Sequence, residues 1–180
     1  MSIPFVFVGG VLSSRECRLL KNAGSAVGWK PATILRGSKA VLDKSVRNVR
    51  VSGLKAPTDE IRAIVEKIIS TARCISDKAF NISIKQPEVV LGILRYETGG
   101  KYKWHIDHGR GTAARRRISV VIQLSAEKEY TGGGLLFRAR GGIYEAPKLQ
   151  GTVVVFPSKR TIHAVQPVSS GIRYSGVLWL

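Results

Sequence analysis

Hydrophobic positions along the chain follow two rhythms, and the change between them falls near Pro87. After Pro57-Thr58-Asp59-Glu60, the residues Ile61, Ile64, Val65, Ile68, Ile69, Ala72, Ile75, Ala79 and Phe80 recur at three- and four-residue steps. That spacing predicts an amphipathic helix with one face committed to a core, opened by the proline, threonine and acidic residues at its start. Nearer the N-terminus, Phe5–Val8 reads as a short strand and Gly9-Gly10 as a turn. Ser13-x-x-Glu16 is a capping box, and with Cys17, Leu19 and Leu20 behind it predicts a helix of about three turns. Residues 28–56 carry a proline, three glycines and short β-like runs, which predict a loop-rich segment with one or two strands.

Beyond Pro87 the period shortens. Val89–Tyr96, Tyr102–Asp107, Ile118–Leu124, Leu135–Phe137, Thr152–Phe156, Ile162–Val168 and Tyr174–Leu180 read as strands, separated by glycine pairs and triplets and by Pro157. Seven or eight short strands at regular turn spacing predict an antiparallel sandwich or jelly roll. The expected fold is therefore mainly β, a cupin-like double-stranded β-helix with N-terminal helices packed on one sheet. No repeat or linker divides it, so residues 1–180 are expected to form a single domain, with 1–87 as helical and strand cladding and 88–180 as the jelly-roll core.

Composition narrows the class. Of 180 residues, 44% are apolar and 23% charged, which excludes a disordered tail. No apolar run approaches the length needed to span a bilayer, and the N-terminus lacks the basic region of a signal peptide. Two cysteines, Cys17 and Cys74, are too few for a disulfide framework, so a reducing cytoplasm is expected. The net charge of +17, from 29 basic against 12 acidic residues, points to an anionic partner or a strongly solvated surface. The excess is concentrated: Gly28 to Lys55 holds seven basic residues and one acid, and Lys101 to Arg117 holds six and one. An aromatic content of 7%, with no stacking motif beside the basic runs, ranks a nucleic-acid binder last.

The chain has only three histidines. His105 and Asp107, two apart in a predicted strand, project to one face; His163 opens another strand. Two imidazoles and one carboxylate form the facial triad suited to non-haem Fe(II), although other divalent metals accept the same donors. Arg173 lies ten residues beyond His163, on the next strand if Val168–Gly171 is a turn, and its planar fork suits a dicarboxylate. Ser175 shares its face. His108, one residue past the triad carboxylate, belongs to a rim or substrate-facing loop, and Gly109–Arg117 reads as a mobile loop at the mouth.

Five ordered motifs sharpen this reading. They are Arg95-Tyr-x-x-Gly-x-x-Tyr102-x-x-His105-x-Asp107, Arg117-Ile-Ser119, Tyr130-x-Gly-Gly-Gly-Leu135, Gly151-Thr-Val-Val-Val-Phe156-Pro, and His163 through Arg173 to Trp179. Together they resemble the 2-oxoglutarate and Fe(II)-dependent oxygenases of the prolyl-4-hydroxylase-like branch, most closely the bacterial PKHD-type hydroxylases, over nearly all of residues 88–180. The resemblance implies that His105, Asp107 and His163 bind iron and that Arg173 holds the distal carboxylate of 2-oxoglutarate. Tyr96, Leu135 and Ser175 would complete the cosubstrate site, with Gln123 where related enzymes have a tyrosine. Arg117 would point inward, and Tyr102, His108 and Trp179 would stand on the substrate side. Gly134 and Ala164 replace acidic residues usual in relatives, which bears on substrate identity. The implied reaction is a dioxygenase hydroxylation of a C–H bond using O2, with decarboxylation of 2-oxoglutarate to succinate and ascorbate as a supporting reductant. A prolyl or other residue of an acidic peptide or protein is the first substrate reading, and a free amino acid or small metabolite the second. A nucleic-acid-modifying or binding protein comes third. A non-enzymatic metal-binding interaction module would not need Arg173.

Overall fold

Strands Leu91–Tyr96, Ile118–Gln123, Val153–Pro157 and Arg173–Trp179 of the larger sheet are buried on both faces, and the architecture shows why: they lie between two layers. A computed structural model describes residues 4–37, 39–54, 58–84 and 90–180, so Pro57 and Pro87, the residues expected to punctuate the chain, fall outside the described residues. The described elements run β1 (Val6–Val8), α1 (Ser14–Val27), β2 (Lys30–Pro31), β3 (Ile34–Arg36), β4 (Lys39–Val41), β5 (Arg47–Asn48), β6 (Arg50–Leu54) and α2 (Asp59–Ile75). They continue with β7 (Leu91–Tyr96), β8 (Lys101–His105), β9 (Ile118–Gln123), β10 (Tyr130–Gly132), β11 (Leu135–Ala139) and β12 (Gly142–Glu145). The last four are β13 (Val153–Pro157), β14 (Ile162–Val165), β15 (Val168–Gly171) and β16 (Arg173–Trp179).

Two antiparallel sheets face each other as a jelly roll. The larger has the order β1-β13-β9-β16-β7-β6-β2 and the smaller β12-β11-β14-β8-β5; β10-β15 and β3-β4 form separate ribbons. Period-two alternation sorts the side chains. On β7, β9, β13 and β16, one set (Leu91, Ile93, Ile118, Val120, Ile122, Val153, Val155, Leu178) packs with both helices. The other set (Leu94, Tyr96, Val121, Val154, Phe156, Val177) packs toward Leu135, Phe137 and Val165 of the smaller sheet. Helices therefore clad the outer face of the larger sheet, and the space between the sheets is left for a site.

Both helices start where their sequence signals lie. The Ser13 hydroxyl accepts the Glu16 N–H at 3.2 Å while the Glu16 carboxylate accepts the Ser13 N–H at 2.6 Å, closing the capping box. The helix behind it is 14 residues long, nearly a turn more than expected. Gly24 lets it lie close on the sheet, since a Cβ there would sit 3.0 Å from the Cβ of Ile93. In α2, Ile64, Ile68, Ile69, Ala72 and Ile75 are buried as the period requires. The helix then widens into a π-turn over Ser76–Phe80, which swings Ala79 out to solvent and keeps Phe80 in the core.

Several expectations change. Among the described residues, the basic stretch of residues 28–56 holds five short strands rather than one or two, and β2, β5 and β6 extend the edges of the two sheets. Strand β8 ends at His105, short of Asp107, and the expected strand over 162–168 breaks after Val165. Val168–Gly171 is a strand paired with β10, not a turn. Strands β10 and β12 carry no long apolar alternation and were not expected at all. Among the described residues no helix is long and apolar enough to cross a membrane.

Candidate active site

The register between strands assembles the site. In the larger sheet Arg173 pairs with Tyr96, Ser175 with Gln123 and Trp179 with Ser119, so all six share its inner face. In the smaller sheet His163 pairs with His105 across β14 and β8. A pocket of about 420 Å³, counting its open mouth, lies between these faces. Its walls include His105, Asp107, His163, Tyr96, Leu135, Arg173, Ser175, Tyr102 and Trp179.

His105, Asp107 and His163 each bring a ligand-type atom within 4.8 Å of the other two. The His105 Nε2 lies 3.5 Å from Asp107 Oδ1, and the His163 Nε2 lies 3.6 Å from Oδ2. The other ring nitrogens are already occupied. His105 Nδ1 lies 2.8 Å from the Lys103 carbonyl and His163 Nδ1 lies 3.1 Å from that of Thr161. A carbonyl can only accept, so each Nδ1 is the donor to it and each Nε2 is the nitrogen turned toward the carboxylate. This outer hydrogen bond is the one that fixes tautomer and ring orientation in metal-binding histidines. Burial depresses the His163 imidazole to about 4, against the opposing pull of Asp107, so it is neutral near pH 7, as a metal ligand must be. Burial acts to raise the Asp107 carboxyl, but the hydrogen bond with His105, the two imidazoles and the Ser119 hydroxyl outweigh it and hold the group well below the usual carboxylate range.

Asp107 lies beyond the end of β8, so strand alternation alone does not place it. Side chains from other elements do. The Ser119 hydroxyl donates to Asp107 Oδ2 at 2.7 Å, and Ser158 Oγ lies 2.8 Å from Ser119 Oγ. The His108 N–H donates to the Ser158 carbonyl, and the Arg116 guanidinium donates to the Asp107 carbonyl at 3.1 Å. Ser119 stands within a sequence motif and Ser158 directly follows another, but nothing in the linear order shows that they meet the carboxylate.

Across the pocket, Arg173 is 1% exposed, and among the described residues it has no acidic partner. It donates to Gln123 Oε1 at 2.9 Å and to Ser175 Oγ at 3.3 Å, and its buried Nε has no acceptor. Gln123 is itself anchored by donating to the Pro147 carbonyl. A buried guanidinium held only by neutral groups is a strong anion acceptor site, because its desolvation is uncompensated. Gly133, at φ +61°, leaves room for it: a Cβ would sit 3.1 Å from Arg173 Cδ and 3.0 Å from Val168. Tyr96, buried beside Arg173, is pushed up in pKa by that burial and stays a neutral phenol. The donor set therefore fits an octahedral metal with open positions, and the arginine at the far end fits the second carboxylate of a small diacid.

The profile of the 2OG-Fe(II) oxygenase superfamily matches residues 91–180. The chain belongs to this superfamily. A PKHD-type hydroxylase of Synechococcus sp. (strain CC9605) is 31% identical over 153 residues, covering 84% of this chain and 66% of that protein. A second, from strain CC9902, is 33% identical over 152 residues, covering 84% and 65%. The chain thus spans just under two thirds of the length of these relatives. Two solved structures share the fold. A Pseudomonas putida prolyl-4-hydroxylase has TM-score 0.77 and 18% identity, covering 98% of this chain and 92% of its own. A Trichoplax adhaerens prolyl hydroxylase, solved with a peptide fragment of hypoxia inducible factor, has TM-score 0.77 and 18% identity over 98% and 82%.

Within this member of the superfamily, the residues expected on the substrate side separate. Tyr102 stacks on the His105 ring with centroids 3.5 Å apart, and Trp179 lines the pocket. His108 is half-buried but neither joins the three converging donors nor lines the pocket. Arg117 corrects the expectation: it is exposed and donates to the Ser83 carbonyl. Strand alternation begins only at Ile118, so the inward parity of Ser119 and Val121 does not extend back to it. Its neighbour Arg116 turns toward the site instead, with its guanidinium 3.8 Å over the Trp179 ring. The loop expected over Gly109–Arg117 contains a short 3-10 turn, Gly111–Arg115, which delivers Arg116 to that position. Arg47 also reaches the pocket wall, a role hidden in the basic run. At Gly134, the Glu145 carboxylate and Gln166 amide fill the space a side chain would take.

Proposed function

We propose that this chain is an Fe(II)- and 2-oxoglutarate-dependent hydroxylase acting on a C–H bond of a prolyl or other residue within a peptide. The observation that carries the proposal is Arg173, a guanidinium 1% exposed and without an acidic partner, set in the same pocket as three converging metal-type donors. In this reading the Nε2 atoms of His105 and His163 and the Asp107 carboxylate hold iron. Arg173 and Ser175 bind the distal carboxylate of 2-oxoglutarate, Gln123 orients the arginine, and Tyr96 and Leu135 wall the cosubstrate. When bound, iron and 2-oxoglutarate together with O2 supply the oxidising power, the diacid leaving as succinate and CO2. The protein's own work is geometric. Leu94, Val121, Val165 and Val177 make the pocket wall apolar and exclude water, while the fixed imidazoles and carboxylate set where the target carbon must sit.

A peptide substrate is supported by the mouth of the pocket, where Trp179, Tyr102 and Arg47 meet solvent beside a basic cleft, and by the peptide bound to the Trichoplax relative. Residues 1–180 act as one domain in this proposal, because β1, β2, β5 and β6 complete the edges of both sheets. Cys17 and Cys74 are unpaired, which supports a reducing compartment. Release of labelled CO2 from 1-carbon-labelled 2-oxoglutarate tests the proposal. Wild-type protein with Fe(II) should release label, and His163→Ala and Asp107→Ala should not. Equal release from all three would overturn the metal assignment.

A further inference from the structure

Beside the main pocket lies a second cleft of about 530 Å³, counting its open mouth, lined among others by Lys44, Arg47, Arg50, Arg95 and Glu97. Four cations meet one acid there, and that acid is already engaged, since Glu97 pairs with Arg95 at 2.7 Å. The nearest acid in sequence, Asp43, is taken by Arg36 at 2.6 Å and does not neutralise Lys44. Arg47 spends one terminal nitrogen on the Thr33 carbonyl, and the buried Nε atoms of both Arg47 and Arg95 have no acceptor. Lys44 and Arg50 are exposed at the rim. Such a surplus of donors and charge is an anion site short of its anion.

The cleft is joined to the main pocket through one residue. Arg47 lines both, and its guanidinium stands 4.7 Å over the ring of Tyr102, which in turn stacks on His105. We propose that this cleft is a second anion subsite, which takes the carboxylate side chain of an aspartate or glutamate near the residue to be hydroxylated. An extended peptide rises about 3.3 Å per residue, so the acid belongs about two or three positions from the target. Discrete carboxylates suit the cleft better than a nucleic-acid backbone. Its lining has no aromatic ring on which a base could stack.

This inference rests on the peptide reading of the main pocket, and the test separates the two. Two fluorescein-labelled decapeptides are compared by polarisation at low salt, each with one proline, one with glutamates two and three positions from it and one with glutamines there. The glutamate peptide should bind at least tenfold tighter, and the advantage should shrink as salt is raised. K44E/R50E should abolish the preference, whereas R18E/K128E, a charge-matched change at exposed positions on other elements, should keep it. Equal binding of the two peptides, or equal loss in both double variants, would overturn the subsite. If neither peptide binds while wild-type protein still forms succinate from 2-oxoglutarate, the subsite falls and the oxygenase reading stands. Tight binding of a labelled single-stranded RNA that is lost in K44E/R50E would also overturn it.

Discussion

Replacing Ser119 by alanine isolates what holds the Asp107 carboxylate in place. The side chain is fully buried, and its hydroxyl donates to Asp107 Oδ2 at 2.7 Å while meeting Ser158 Oγ at 2.8 Å. The substitution deletes a hydrogen bond to a charged acceptor, an interaction of about 1.5–3 kcal/mol. It also leaves the buried Ser158 hydroxyl without its Ser119 partner and frees the carboxylate to rotate between the two imidazoles. Loss of such an outer partner weakens metal binding by about 10- to 100-fold. Mn(II), a redox-inert stand-in for Fe(II), reports this directly when titrated and followed by the EPR signal of the free ion. Ser119→Ala should bind Mn(II) at least tenfold more weakly, and Ser119→Thr, which keeps the hydroxyl, should recover most of the affinity. Wild-type affinity in the alanine variant, with an unchanged circular dichroism spectrum, would refute the reasoning.

Arg173→Ala removes the buried guanidinium while leaving all three metal donors. Mn(II) affinity should therefore stay near wild type while the 2-oxoglutarate concentration needed for turnover rises by tens of fold or more, corresponding to about 2 kcal/mol or above. Parallel loss of metal would show that the arginine acts on the fold instead. Gly133→Ala places a methyl group against Arg173 Cδ, Val168 and Tyr130 on a backbone at φ +61°. It should lower the melting temperature by an amount equivalent to about 1–3 kcal/mol and weaken 2-oxoglutarate binding as well. An unchanged variant on both counts would show that the cradle is not tight. Burial pushes the Cys17 thiol up to about 11, so the folded protein keeps a proton there that the unfolded chain releases above about pH 9. Stability should fall between pH 9 and 11 by up to about 2–3 kcal/mol more in wild type than in Cys17→Ala, as urea unfolding at each pH would show. At pH 8 a thiol-exchange reagent should modify the exposed Cys74 and leave Cys17 untouched until unfolding.

What was legible in the sequence was whatever depends on local period. Strands β9 and β16 are long enough for alternation to show, and it puts Ser175 with Arg173 on one face as expected. Both helices announce themselves through caps and three-to-four spacing. The two- and three-residue strands of the basic segment leave no such trace, because they are edge strands with mostly exposed side chains and take their order from the neighbours they pair with. The triad was visible as a spacing, yet the strand argument behind it holds for His105 and His163 and not for Asp107. Asp107 is positioned by serines 12 and 51 residues away in the chain, through contacts that no local pattern encodes. Arg116 and Arg117 show the same limit: a run of three arginines states the charge, and only the turn preceding β9 decides which one faces the pocket.

In the proposed function, three side chains from β8, the loop after it and β14 hold iron in the same pocket where Arg173 holds 2-oxoglutarate. Anaerobic addition of Fe(II) and 2-oxoglutarate, followed by visible absorption, tests it most directly, since a keto acid chelated to a facial-triad iron gives a weak charge-transfer band. A band is expected in the wild-type protein, absent in Asp107→Ala and His163→Ala, and needing far more 2-oxoglutarate to appear in Arg173→Ala. A wild-type protein that binds both Fe(II) and 2-oxoglutarate yet shows no band, or a band that survives in Asp107→Ala, would contradict it.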